Sequence, residues 1–122
     1  EFRLCTLGSS PVIAELDKLS DRFVSGMPLR VVRSAADNLA ANECRVAFLG
    51  RSNLQTLMQW GNALDNLPIL TISDFSEAYP NYAVIGLVTE HDRIVFKINR
   101  TKATAKGLAL SFRVLMLAKE IR

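Results

Sequence analysis

The chain has 122 residues, almost half of them apolar, with 22% charged positions and only six Gly and four Pro. That balance fits one folded domain with a sizeable core and excludes a disordered tail or two ordinary domains. Fifteen Lys and Arg are scattered among twelve Asp and Glu, a net charge of +3 that names no anionic partner; no apolar run reaches the roughly 18 residues of a membrane span.

In chain order, Phe2 to Leu7 reads as a strand stopped at Gly8-Ser9-Ser10-Pro11, a turn former, a cap and a helix-start proline. A helix is expected from Pro11 to Phe23, because Val12, Leu16, Leu19 and Phe23 recur at spacings of three and four. Leu29 to Arg33 is β-branched and makes a second strand, followed by a polar stretch with a helical turn around Ala35 to Ala41. Cys44 to Leu49 is the third strand, closed by Gly50, with Ser52-Asn53 capping a second helix whose buried stripe is Leu54, Leu57, Met58, Gly61 and Leu64. Pro68 to Ser73 gives a fourth strand. Alternating strands and helices imply right-handed crossovers and a parallel sheet covered on both faces. Ala83 to Thr89 and Ile94 to Asn99 then pair as an antiparallel hairpin across Glu90-His91-Asp92-Arg93, and a long last helix runs from Lys102 to Ile121. The expected fold is therefore an α/β three-layer sandwich: a mainly parallel sheet of four strands, extended by a C-terminal hairpin, with helices on both faces.

The strand ends Gly8-Ser9 and Gly50-Arg51 precede helices and form a candidate ligand crevice, where backbone amides could meet a small anion. Neither has the spacing of a dinucleotide fingerprint or a P-loop lysine. Receiver-type phosphorylation is excluded, since the tips of the first and third strands carry no acidic residues. His91, the sole histidine, falls in a charged turn, and two distant cysteines make no metal set, so the residues favour a binding module over an enzyme and call for no cofactor. Asp74 and Glu77 could face a cleft but read better as a helix cap with its box partner. Lys102, Lys106 and Arg113 on the last helix form a wet edge, without the interleaved aromatics of a nucleic-acid site. Trp60 reads as core.

With the first strand lying between the second and third, Cys5 and Cys44 sit on adjacent strands roughly 5 Å apart, within disulfide range. Spacing alone leaves open a disulfide or a pair of buried free thiols.

Phe2-Arg3-Leu4-Cys5, Cys44 to Gly50, Leu70 to Asp74, and above all Arg93-Ile94-Val95-Phe96-Lys97-Ile98-Asn99 before a helix ending Leu115-Met116-Leu117-Ala118 resemble the YfiR family of Gram-negative envelope proteins. The likeness covers essentially the whole chain, with Phe96, Ile98 and Asn99 its most specific positions. It implies a periplasmic domain spanning residues 1–122, preceded in the family by a secretion signal and a leading helix. It implies a protein that restrains an inner-membrane diguanylate cyclase of the YfiN type by binding its periplasmic domain, in cyclic di-GMP control of biofilm formation. An outer-membrane lipoprotein is the implied second partner and a homodimer a further option. The alternative is a periplasmic small-ligand sensor binding a nucleotide or an amino acid at the crevice. The resemblance also implies a Cys5–Cys44 disulfide, acting as a staple. A second disulfide of the family, expected near Asp74 to Tyr82, has no cysteines here. Phe75, Tyr79 and Tyr82 in that loop are expected as exposed aromatics forming a partner contact.

Overall fold

The computed structural model describes residues 2–24, 26–35, 43–65, 67–79, 81–109 and 120–121. Its elements are β1 (Phe2–Leu7), α1 (Pro11–Asp17), β2 (Phe23–Val24), β3 (Met27–Arg33), β4 (Val46–Leu49), α2 (Leu54–Leu64), β5 (Leu70–Ser73), β6 (Ile85–Glu90), β7 (Arg93–Ile98), α3 (Arg100–Ala105) and β8 (Glu120–Ile121). One sheet runs in the order β2-β3-β1-β4-β5-β6-β7-β8. Strands β3, β1, β4, β5 and β6 are mutually parallel, and β6 and β7 form the expected antiparallel hairpin. The first strand does lie between the next two parallel strands. No helix among the described residues is long and apolar enough to cross a membrane.

Side-chain alternation divides the core in two. Cys5, Leu7, Ala47 and Leu49 point to one face and pack against Leu57, Trp60 and Leu64 of α2. Leu4, Leu29 and Phe48 point to the other, against Ile13 of α1. The α2 face is closed almost completely, whereas on the α1 face Phe2, Val31, Val46, Ile72 and Leu87 remain only half-buried. A two-turn helix is too short to roof eight strands.

The capping signals read correctly. Ser10 caps α1 by accepting from Val12 N (3.1 Å), with Pro11 in its first turn, and Asn53 caps α2 by accepting from Thr56 N (2.8 Å). The periodicity misled in three places. The helix expected to reach Phe23 stops at Asp17: Asp21 takes a left-handed φ of 74°, its N–H donates to Leu29 O, and Phe23–Val24 becomes an edge strand antiparallel to β3. Phe23 is 73% exposed. In α2 the buried stripe is Leu57, Trp60, Gly61 and Leu64, while Leu54 (65%) and Met58 (50%) face outward. The last helix does not run unbroken from Lys102 to Ile121: α3 ends before Gly107 (φ 76°), and Glu120–Ile121 pairs as a strand with β7. Residues 110–119, with Arg113, and 36–42, with most of the expected helical turn, lie outside the described residues.

The hairpin is tighter than expected. Glu90 pairs with Arg93 across a two-residue turn in which His91 (φ 49°) and Asp92 (φ 61°) both have positive φ, as a type I′ turn demands. At the far end of α2, Lys106 is no wet cation. It is buried and its Nζ donates to Leu64 O, and Lys102 Nζ reaches Asp65 Oδ1 at 3.1 Å. These two contacts fasten α3 to the carbonyl end of α2, where positive charge is favoured.

Cys5 and Cys44 form a disulfide with Cα atoms 5.8 Å apart. Cys44 sits two residues ahead of β4 and not within it, so the bridge joins β1 to the segment entering its neighbour. Both residues belong to the α2-side core, Cys5 wholly shielded and Cys44 7% exposed.

Three outcomes test this packing. Replacing both cysteines by alanine should cost about 4 kcal/mol of unfolding free energy, the chain-entropy value for such a loop, measured by denaturant titration; mild reductant should leave the native bridge intact. Gly61→Ala would ordinarily strengthen a helix, but its Cβ would meet Tyr82 Cδ1 at 2.6 Å, so we expect a lower Tm that recovers in a Tyr82→Ala background. Burial pushes the pKa of Lys106 below the ordinary lysine value, with Lys102 adding to the depression and Asp65 opposing it. The unfolded chain then binds more protons between the two values, so this contribution is present above the unfolded pKa and is lost as pH falls through the folded one. Relative to Lys106→Met, the parent should gain stability as pH rises towards about 10.5, the unperturbed lysine value, in paired denaturation curves.

Candidate functional site

The crevice expected at the strand tips is closed by its own backbone. Gly50 N donates to Leu7 O (2.7 Å), Arg51 N to Ser9 O (2.7 Å) and Ser9 N to Arg51 O (3.2 Å), so the two tips form an antiparallel bridge. A Cβ on Gly50 would lie 2.7 Å from Ser9 N and O, which explains glycine there. Arg33 Nη2 covers Gly8 O at 2.7 Å. The amides of Ser9, Gly50 and Arg51 are thus engaged within the fold, as is the carbonyl of Gly8, and the Arg51 guanidinium lies 5.3 Å over the Phe75 ring.

Phe75, Tyr79 and Tyr82 are not the exposed patch expected of them. Phe75 and Tyr82 pack against the α2-side core, and the rings of Tyr82 and Tyr79 lie over Gly61 and Gly86, where no side chain intervenes. All three are half-buried. Trp60, expected in the core, is there, its ring edge against Gly8. The family-specific positions act structurally: Phe96 is cross-strand from Leu87, Ile98 is fully buried, and Asn99 caps α3 by accepting from Lys102 N at 3.0 Å while its N–H donates to Val84 O. His91 is exposed in the hairpin turn, and among the described residues no group of three or more His, Cys, Asp or Glu could hold a metal.

Asp74 does not take the helix-cap role expected of it. No helix follows it, so it caps nothing; Phe75 N instead donates to Ser73 Oγ at 3.0 Å. Glu77 is no box partner, accepting only from neighbouring Ser76 Oγ. The Asp74 Oδ2 accepts from Ser10 Oγ at 2.7 Å, linking the end of β5 to the start of α1, and its Oδ1 is buried without a hydrogen-bond partner. It lines a cavity of about 300 Å³ between α1 and the β6–β7 hairpin, at the carboxyl edge of the parallel strands.

Exposed large apolar side chains are few. Among the described residues they are Leu19, Phe23, Leu54, Met58 and Ile94, the last 76% exposed at the hairpin. Leu54 and Met58 are four apart on α2 and share its outer face.

In fold the chain is similar to the ABC domain in complex with L-Trp from Streptococcus pneumonia (TM-score 0.70, 9% identity, 99% of this chain and 56% of that one). It is likewise similar to a conserved domain protein from Vibrio cholerae O1 biovar El Tor str. N16961 (TM-score 0.68, 13% identity, 98% and 54%). The chain thus spans a little over half the length of either structure, and at these identities the likeness is one of fold alone. No curated protein matches its sequence. A YfiR/HmsC-like family model matches residues 1–119, in agreement with the motifs from Phe2 to Asn99, and the chain belongs to that family.

Proposed function

We propose that this domain is a periplasmic regulatory module that restrains a membrane-bound diguanylate cyclase by binding its periplasmic sensor domain. The observation that carries the reading is the family match across residues 1–119. The buried Cys5–Cys44 disulfide supports it, because such staples persist in oxidising compartments and are rare in the cytosol. The mechanism is a population shift: the module binds the inactive conformation of the cyclase more tightly, and its release, for instance by capture on an outer-membrane lipoprotein, restores cyclic di-GMP synthesis. The reading calls for a binding surface and no catalytic one.

The contact residues proposed are Leu54 and Met58, which present apolar area on a helix already anchored by Leu57, Trp60 and Leu64. Such a surface binds without a cost in ordering the backbone. A homodimer through the same patch would compete with the cyclase for it. The small-ligand alternative moves from the tips at Gly8 and Gly50, where the amides of Ser9, Gly50 and Arg51 are engaged, to the cavity beside Asp74.

The test is a binding titration of the purified domain against the periplasmic domain of a YfiN-type diguanylate cyclase, with cyclic di-GMP measured on co-expression. We expect saturable binding and reduced cyclic di-GMP, with a Leu54→Asp/Met58→Asp variant at least tenfold weaker and unchanged in Tm. A correctly folded domain that neither binds the cyclase nor lowers cyclic di-GMP would overturn the reading. Binding that the double variant leaves unchanged would move the contact surface elsewhere.

A further inference from the structure

The α1 face of the sheet carries two adjoining cavities that the regulatory reading does not use. The first, of about 300 Å³, is lined by Val12, Asp74, Ser76, Leu87, Thr89 and Ile94. The second, of about 260 Å³, shares Val12 and Leu87 and continues under α1 over Leu4, Phe48 and Ile72, with purely apolar walls. Together they make a space with one polar end and one apolar end.

The polar end is built around Asp74. Its Oδ2 is held by Ser10 Oγ, which fixes the carboxylate plane, and its Oδ1 is buried with no partner. Buried carboxylate oxygens are normally hydrogen-bonded, and Asp74, which lines the cavity, carries one that is not. Ser76 and Thr89 add hydroxyls at the same end. A pole with a carboxylate, two hydroxyls and no cationic side chain repels phosphates and carboxylates, which argues against a nucleotide. It favours a group with several donors and positive charge, and the apolar end favours a hydrocarbon body.

We propose that this site binds a primary ammonium carried on an apolar body, the ammonium pairing with the Asp74 carboxylate and the body lying along Val12 and Leu87 towards the cavity under α1. The site stands on Asp74 and the two cavities, independently of any cyclase. It differs from the anion-binding crevice expected at Gly8 and Gly50 in place and in sign.

Calorimetric titration with three similarly sized probes decides the matter: 2-phenylethylamine, 2-phenylethanol and 3-phenylpropanoate. The amine should bind at least tenfold more tightly than the alcohol, and the acid weakest. Asp74→Asn keeps an oxygen acceptor for Ser10 and should bring the amine down to the level of the alcohol, with circular dichroism unchanged. Thr89→Trp, at the exposed rim, should block the amine while leaving Asp74 in place. Equal affinities for amine and alcohol in the parent would overturn the proposal, as would a preference that survives Asp74→Asn or no saturable amine binding. If Asp74→Asn does not fold, the parent's amine-to-alcohol ratio and the Thr89→Trp variant decide alone.

Discussion

The pairing of β1 with β4 is the constraint on which the rest of this structure depends. β1 is the one strand of the parallel sheet laid down before its two neighbours, and both must return to it from later in the chain. The Cys5–Cys44 bridge joins the pair near the entrance to β4, and the Ser9–Arg51 bridge joins it at the carboxyl end. Between them the register from Leu4↔Val46 to Leu7↔Leu49 leaves no slack, and α2 can then close over Cys5, Leu7, Ala47 and Leu49. Non-local parallel pairing costs loop entropy before contacts reward it, and the covalent bridge removes part of that cost from the unfolded chain.

From that pairing follows the inequality of the two faces. On the α2 side an eleven-residue helix, α3 and the half-buried aromatics of the 75–82 loop shield the sheet, with Lys106 and Lys102 tying α3 to the end of α2. On the α1 side seven helical residues cover the sheet, and apolar side chains from Phe2 to Leu87 stay half-exposed around a cavity. On the closed face Leu54 and Met58 of α2 stay exposed to solvent. The open face offers a space into which a ligand could pack.

The same division explains the fate of the glycines and aromatics. A ligand crevice and a glycine-mediated close contact look alike in sequence, because both need a residue without a Cβ after a strand. Here Gly50 serves the contact, and the amides beside it have backbone partners. Tyr79 and Tyr82, which a polar loop would seem to expose, are drawn in because Gly86 and Gly61 leave room for their rings. Among the described residues, the buried side-chain oxygen without a partner is Asp74 Oδ1, while Asp74 Oδ2 accepts from Ser10, sixty-four residues away.

Much of the fold was legible in the residues themselves. The apolar runs at Phe2–Leu7, Val46–Leu49 and Leu70–Ser73, the caps at Ser10 and Asn53, the hairpin around His91-Asp92 and the proximity of Cys5 to Cys44 all follow from local pattern and strand alternation. The family was legible in the strand from Arg93 to Asn99, and the compartment it implies favours the disulfide. What only the tertiary structure decided is which apolar residues are covered. Leu19 and Phe23 match a helical stripe, and Leu54 and Met58 sit beside the buried one, but their burial depends on whether another element arrives above them. Lys106 is buried and Asp74 half-orphaned for the same reason. Periodicity reports the conformation of a segment, whereas burial, pairing and the emptiness of a cavity are set by neighbours distant in sequence, whose arrival no local pattern encodes.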